Sequence, residues 1–92
     1  SFSFRITGDR PGRLIDVLDP FFIEGANLTA IDSMPGEITE EEKLRGIDPD
    51  RIVDFDVGID PKTIDAEKES RIKERLVKMG CEIRDFNGVN QQ

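Results

Sequence analysis

The sequence contains no histidine, which closes the imidazole routes to acid–base catalysis and to metal binding. It contains a single cysteine, Cys81, so no disulfide can form within the chain, and a reducing compartment is the simpler setting. With neither a histidine nor a positive helix terminus to activate its thiol, Cys81 reads as a small apolar packing residue. No apolar run is long enough to cross a membrane. Nothing ahead of Phe2 reads as a signal or transit segment, and the expected location is cytoplasmic. The first residue is Ser1 rather than Met, as in a processed chain or a piece of a longer one. Positive charge is also scarce. Against 20 Asp and Glu there are 13 Lys and Arg, giving a net charge of −7 and a pI near 4.5. Such a surface repels nucleic acid and anionic lipid.

What is present is enough for one small domain, residues 1–92, close to the lower size range for independent stability. Residues 2–7, FSFRIT, alternate Phe2, Phe4 and Ile6 against Ser3, Arg5 and Thr7, the pattern of a half-buried strand. A helix is predicted from about Gly12 to Glu24, with Leu14, Val17, Leu18, Phe21 and Phe22 as its apolar stripe and Gly25 as its stop. Pro20 falls inside it and has no N–H for the carbonyl of Asp16. The spacing sets Pro20 beside Arg13, Asp16 and Glu24 on the polar face, where water would satisfy that carbonyl. The second strand covers roughly Ala26–Met34. Its alternation is blurred, as in an edge strand or one covered by another subunit.

Residues 35–50, PGEITEEEKLRGIDPD, form an acidic insert. Thr39 and Glu42 have capping-box spacing and Gly46 can end a short helix, so a turn or two of helix or a mobile loop is expected there. Glu37, Glu40, Glu41 and Glu42 read as a solvated acidic surface. Asp48-Pro49-Asp50 signals a turn into the clearest strand, residues 51–59, with Val53, Phe55, Val57 and Ile59 on one face and Ile52, Asp54 and Asp56 on the other. Asp48, Asp50, Asp54 and Asp56 do not follow a calcium-loop pattern. A second long helix is predicted from roughly Asp65 to Met79. Its core stripe (Ile72, Leu76, Met79) occupies only the C-terminal half, so its first turns are expected to be solvated. Gly80 ends it, a last strand runs from Cys81 to about Phe86, and Gly88–Gln92 read as a tail.

This βαββαβ order predicts an α+β fold, a ferredoxin-like sandwich with an antiparallel sheet in the order 4-1-3-2 and two helices on one face. The first and third strands would be central and the second an edge. RNA-recognition domains share the order but need aromatic residues and a basic surface on the open face. Here that face would carry Ser3, Arg5, Thr7, Ile52, Asp54 and Asp56. An acylphosphatase-like hydrolase would need loop arginines and an asparagine, and Arg10 or Arg13 followed by Asn27 is too loose a match.

The loop ahead of the first helix is the strongest candidate site. Gly8, Pro11 and Gly12 suit a tight turn that lets a partner approach the backbone. The amides of Gly12, Arg13 and Leu14, at the positive end of a helix dipole, favour a carboxylate such as that of an amino acid. Asp9 or Asn27 could take the matching ammonium group, and Arg10 and Arg13 flank the loop. The plainer alternatives are a β-to-α turn that needs its glycines for geometry, two exposed arginines, and an asparagine at a strand entry.

Residues 11–35, PGRLIDVLDPFFIEGANLTAIDSMP, resemble the ACT domain, an amino-acid-sensing regulatory module, in the subtype attached to prephenate dehydratases and aromatic amino acid hydroxylases. The resemblance is carried by Gly12, Leu14, Leu18, Pro20, Phe21, Ala26, Asn27, Leu28, Thr29, Ile31, Asp32, Ser33, Met34 and Pro35. Asp32 stands for the usual Glu and Met34 for the usual Arg, whose planar multi-donor cation Met cannot replace. The resemblance implies an amino acid ligand such as phenylalanine, held at a dimer interface by Asp9, Arg10, Pro11, Gly12, Arg13, Leu14, Asn27, Leu28 and Thr29. Ile31, Asp32, Ser33 and Met34 would help form the interface. It implies allosteric control of an attached or partner metabolic enzyme, with no catalysis, cofactor or metal of the domain's own. The alternative is a ligand-independent association domain of the same fold.

Overall fold

Alternation in the first strand sets the core. Phe2, Phe4 and Ile6 are fully buried on one side of the sheet, while Ser3 and Arg5 point to the other. The computed structural model describes residues 2–86, so the tail expected over 88–92 lies outside the described residues. The elements are β1 (Phe2–Ile6), α1 (Arg13–Ile23), β2 (Leu28–Pro35), α2 (Glu40–Leu44), β3 (Val53–Ile59), α3 (Ala66–Lys78) and β4 (Glu82–Phe86). Short 3-10 turns occupy Pro49–Arg51 and Pro61–Thr63, each led by an aspartate, Asp48 or Asp60, that accepts from the amide two residues on.

The sheet is antiparallel throughout, in the order β2-β3-β1-β4, which counted from the opposite edge is 4-1-3-2. The two best-alternating strands are central. β2 is an edge strand, and every residue of it after Leu28 is exposed. Helices α1 and α3 supply the cover for the apolar face. Phe21 of α1 meets Phe2 edge-on at 5.3 Å between ring centres, and Phe4 stacks on Phe55 at 5.5 Å. Ile72 and Leu76 of α3 complete the core with Val17, Val57 and Cys81. Among the described residues, no helix is long and apolar enough to cross a membrane.

Four expectations need correction. The buried stripe of α1 is Val17, Pro20 and Phe21, so Pro20 lies inside rather than on the polar face, while Phe22 is 63% and Leu14 41% exposed. Packing against α3 as well as the sheet rotates the helix, and the proline ring is buried in the core stripe although it leaves the Asp16 carbonyl without its helical donor. Ile52 is not on the open sheet face. It precedes β3 and is buried by the insert, where a Cβ on Gly36 would come within 2.2 Å of its Cγ2. The early part of α3 is not wholly solvated either, since Glu69 and the preceding Ile64 are buried.

Finally, the acidic insert is not uniformly solvated. Thr39 and Glu42 form the expected capping box, with Glu42 N–H donating to Thr39 Oγ1 at 3.1 Å and Thr39 N–H to Glu42 Oε1 at 2.9 Å. The second carboxylate oxygen of Glu42 lies 3.7 Å from Arg5, which also grips Asp54 through two bonds of 2.7 and 3.0 Å. One strand arginine therefore ties α2 to the open face of the sheet.

Candidate functional site

The chain leaves β1 at Ile6 and enters α1 through residues 7–12. Gly12 is the N-cap, with φ 84°, a conformation that favours glycine, and no side chain caps the helix. The Asp9 amide donates to Arg51 O at 2.9 Å, which fixes the loop against the turn ahead of β3. The Arg13 amide donates to Arg10 O at 3.0 Å, so one of the three amides expected to face a ligand is already engaged. Among the described residues, the amides of Gly12 and Leu14 have no acceptor, and space for a Cβ at Gly12 is open. These two donors are what the loop offers an anion.

The flanking arginines differ. Arg10 is exposed, with a loose 3.8 Å approach to Asp16. Arg13 turns the other way, and its Nη2 donates to Met79 O at the C-cap of α3, where a cation suits the negative end of the helix dipole. Its Nε is buried with no acceptor among the described residues. Arg13 is thus a tie between helices.

Ile6 and Pro35 both pair with Val53, so the last residues of β2 lie at the same end of the sheet as the loop. There Ser33, Met34 and Pro35 border a hollow of about 420 Å³ whose other side is Pro49, Asp50 and Ile52. Asn27, Leu28 and Thr29 lie at the opposite end. Leu28 pairs with Ile59, and the Asn27 backbone is engaged by Thr63 Oγ1 at 2.9 Å and by the Asp60 amide at 2.8 Å. Six residue steps along the strand, roughly 20 Å, separate Thr29 from Pro35. Within one chain, the predicted contacts therefore form two groups: Asp9, Pro11, Gly12 and Leu14 with the end of β2, and Asn27–Thr29 a strand-length away. Ile31 and Met34 are both exposed but face opposite sides, since Ile31 pairs with core-facing Val57 and Met34 with Asp54. Asp32 stands directly opposite Asp56, two like charges in register.

Electrostatics concentrate on the open face. The bidentate Arg5 guanidinium holds the Asp54 carboxyl below its usual range. The Thr39 amide, more than Arg5, lowers the Glu42 carboxyl, and burial pushes the Cys81 thiol up. Among the described residues, no group of three or more candidate ligands could hold a metal. The Arg5–Asp54–Glu42 cluster and the Pro49–Ile52 wall of the hollow were not foreseen. The cross-strand pair could have been found from opposite charges at the polar positions of two alternating strands, but the wall depends on how the insert folds back. No protein-family model matches this chain, and no curated protein sequence matches it.

Proposed function

We propose that this chain is a ferredoxin-like regulatory domain of the ACT type that binds an amino acid between two copies of itself. The observation that supports the reading is that the residues expected to contact a ligand fall in two groups toward opposite ends of an exposed edge strand. Two copies related by a two-fold axis perpendicular to β2 at its middle would pair antiparallel along that edge, bringing the Gly12 loop of one beside the Asn27–Thr29 end of the other. The Gly12 and Leu14 amides would then take the carboxylate, and the partner's end would complete the pocket. Ligand binding stabilises the paired form, and that free energy is what an attached or partner enzyme of aromatic amino acid metabolism would sense. The domain itself does no chemistry in this reading, and its setting is the cytoplasm.

Thermal unfolding with a panel of amino acids at millimolar concentration tests the proposal. An amino acid at 100 times its Kd should stabilise the fold by about 2.7 kcal/mol. Absence of any rise in Tm across the panel, phenylalanine included, would count decisively against it. A second reading, association without ligand, draws on the exposed Leu14, Ile15, Phe22 and Ile31. Light scattering separates the two, because this second reading requires a dimer indifferent to amino acids.

A further inference from the structure

The proposed loop site leaves unused a groove between α1 and α3. Those helices run antiparallel and are tied at both ends. Arg13 at the start of α1 holds Met79 O, and Glu24 at its end accepts from Arg71 at 2.8 and 2.9 Å. Along α3 the two ties stand roughly 12 Å apart. Between them lie two adjoining hollows of about 230 and 430 Å³ that share Asp16, Asp19 and Met79.

The walls carry opposite charges. Asp16 and Asp19 stand on α1, where Pro20 also denies the Asp16 carbonyl its usual helical donor. Arg75 of α3 lines the same hollow, and its charge also acts on Glu24 at the end of α1. The Arg13 guanidinium closes one end, with its buried Nε lacking an acceptor among the described residues. Pro20, Ile23 and Met79 provide apolar surface between these groups. A simple anion entering here would meet two carboxylates, and a simple cation would meet two guanidiniums. A ligand bearing both charges meets neither conflict. The approach of Arg10 to Asp16 is long and exposed, so it holds that carboxylate only weakly.

We propose that the α1/α3 groove binds a small zwitterion with an apolar side chain, the class of the free apolar α-amino acids, its ammonium on Asp16 and Asp19 and its carboxylate on Arg75. This site lies within one chain and needs no second copy, so it stands or falls apart from the interface site.

The test is an NMR titration of the ¹⁵N-labelled chain with L-phenylalanine, with 3-phenylpropionate and phenethylamine as single-charge controls. The expected result is saturable shifts at Asp16, Asp19, Ile23, Arg75 and Met79, with each control binding about tenfold or more weakly. D19N and R75Q, both at exposed positions, should each weaken L-phenylalanine binding by about tenfold and leave the remaining spectrum folded. Shifts confined to residues 8–14 and 27–29, 3-phenylpropionate binding equal to that of L-phenylalanine, or no saturable shift at all would each overturn the groove proposal. Shifts confined to the groove would instead support it while removing the interface site.

Discussion

Arg5 is an arginine in the middle of a central strand, 6% exposed, and it is tolerated there because two carboxylates meet it. Replacing it by Met keeps most of the packing and leaves Asp54 without its partner. R5M should therefore destabilise the fold by about 1–3 kcal/mol in urea unfolding at neutral pH, toward the low side because Asp54 remains partly solvated. The pH dependence follows from the same contact. Arg5 lowers the folded-state pKa of Asp54, so the unfolded chain takes up that proton first. The stabilisation is complete above the reference value of 3.8 and is lost as pH falls through the lower folded-state value. Glu42 has the same sign below its reference value of 4.5, with the Thr39 amide as the larger cause. Acid should thus weaken the wild type progressively below about pH 4.5, and R5M should show a shallower loss. An unchanged pH profile in R5M would show that Arg5 does not set the Asp54 carboxyl.

At the scale of elements, α1 separates two neighbouring phenylalanines. Phe21 is fully buried against Phe2 and Phe4, whereas Phe22 is largely in solvent. F21A should cost about 3–5 kcal/mol and F22A less than about 0.5 kcal/mol, measured on the same denaturant curves. Comparable costs would mean that the helix is rotated from the position described. This contrast also marks what was legible beforehand. A strand alternates with a period of two, so Phe2, Phe4 and Ile6 left no choice of face. Thr39 and Glu42 announced the cap of α2 because both partners are local. A helix with apolar residues at 14, 17, 18, 21 and 22 allows several rotations, and only its packing against the sheet and α3 chooses among them. The glycine at the N-cap of α1 was readable from the turn, but the fate of Arg13 was not, because Met79 is 66 residues away. The same distance problem hid Ile52, whose cover comes from the fold of the insert.

At the scale of the whole molecule, the outer side of α1 and the β2 edge expose Leu14, Ile15, Phe22 and Ile31 on a chain with net charge −7. Apolar contact favours pairing of two copies, and like charge opposes it. Because salt screens the second and not the first, self-association should tighten as ionic strength rises from about 0.05 to 0.5 M in sedimentation equilibrium. F22D should shift the chain toward monomer with its circular dichroism unchanged, and weakening by salt would indicate a charge-paired interface instead. The facing carboxylates of Asp32 and Asp56 bear on that same border. Backbone bonds draw β2 onto the sheet while these two side chains repel each other across it near mid-strand. Among the described residues its outer flank has no neighbouring strand. The rim of this sheet is therefore poised between letting go on one side and recruiting company on the other.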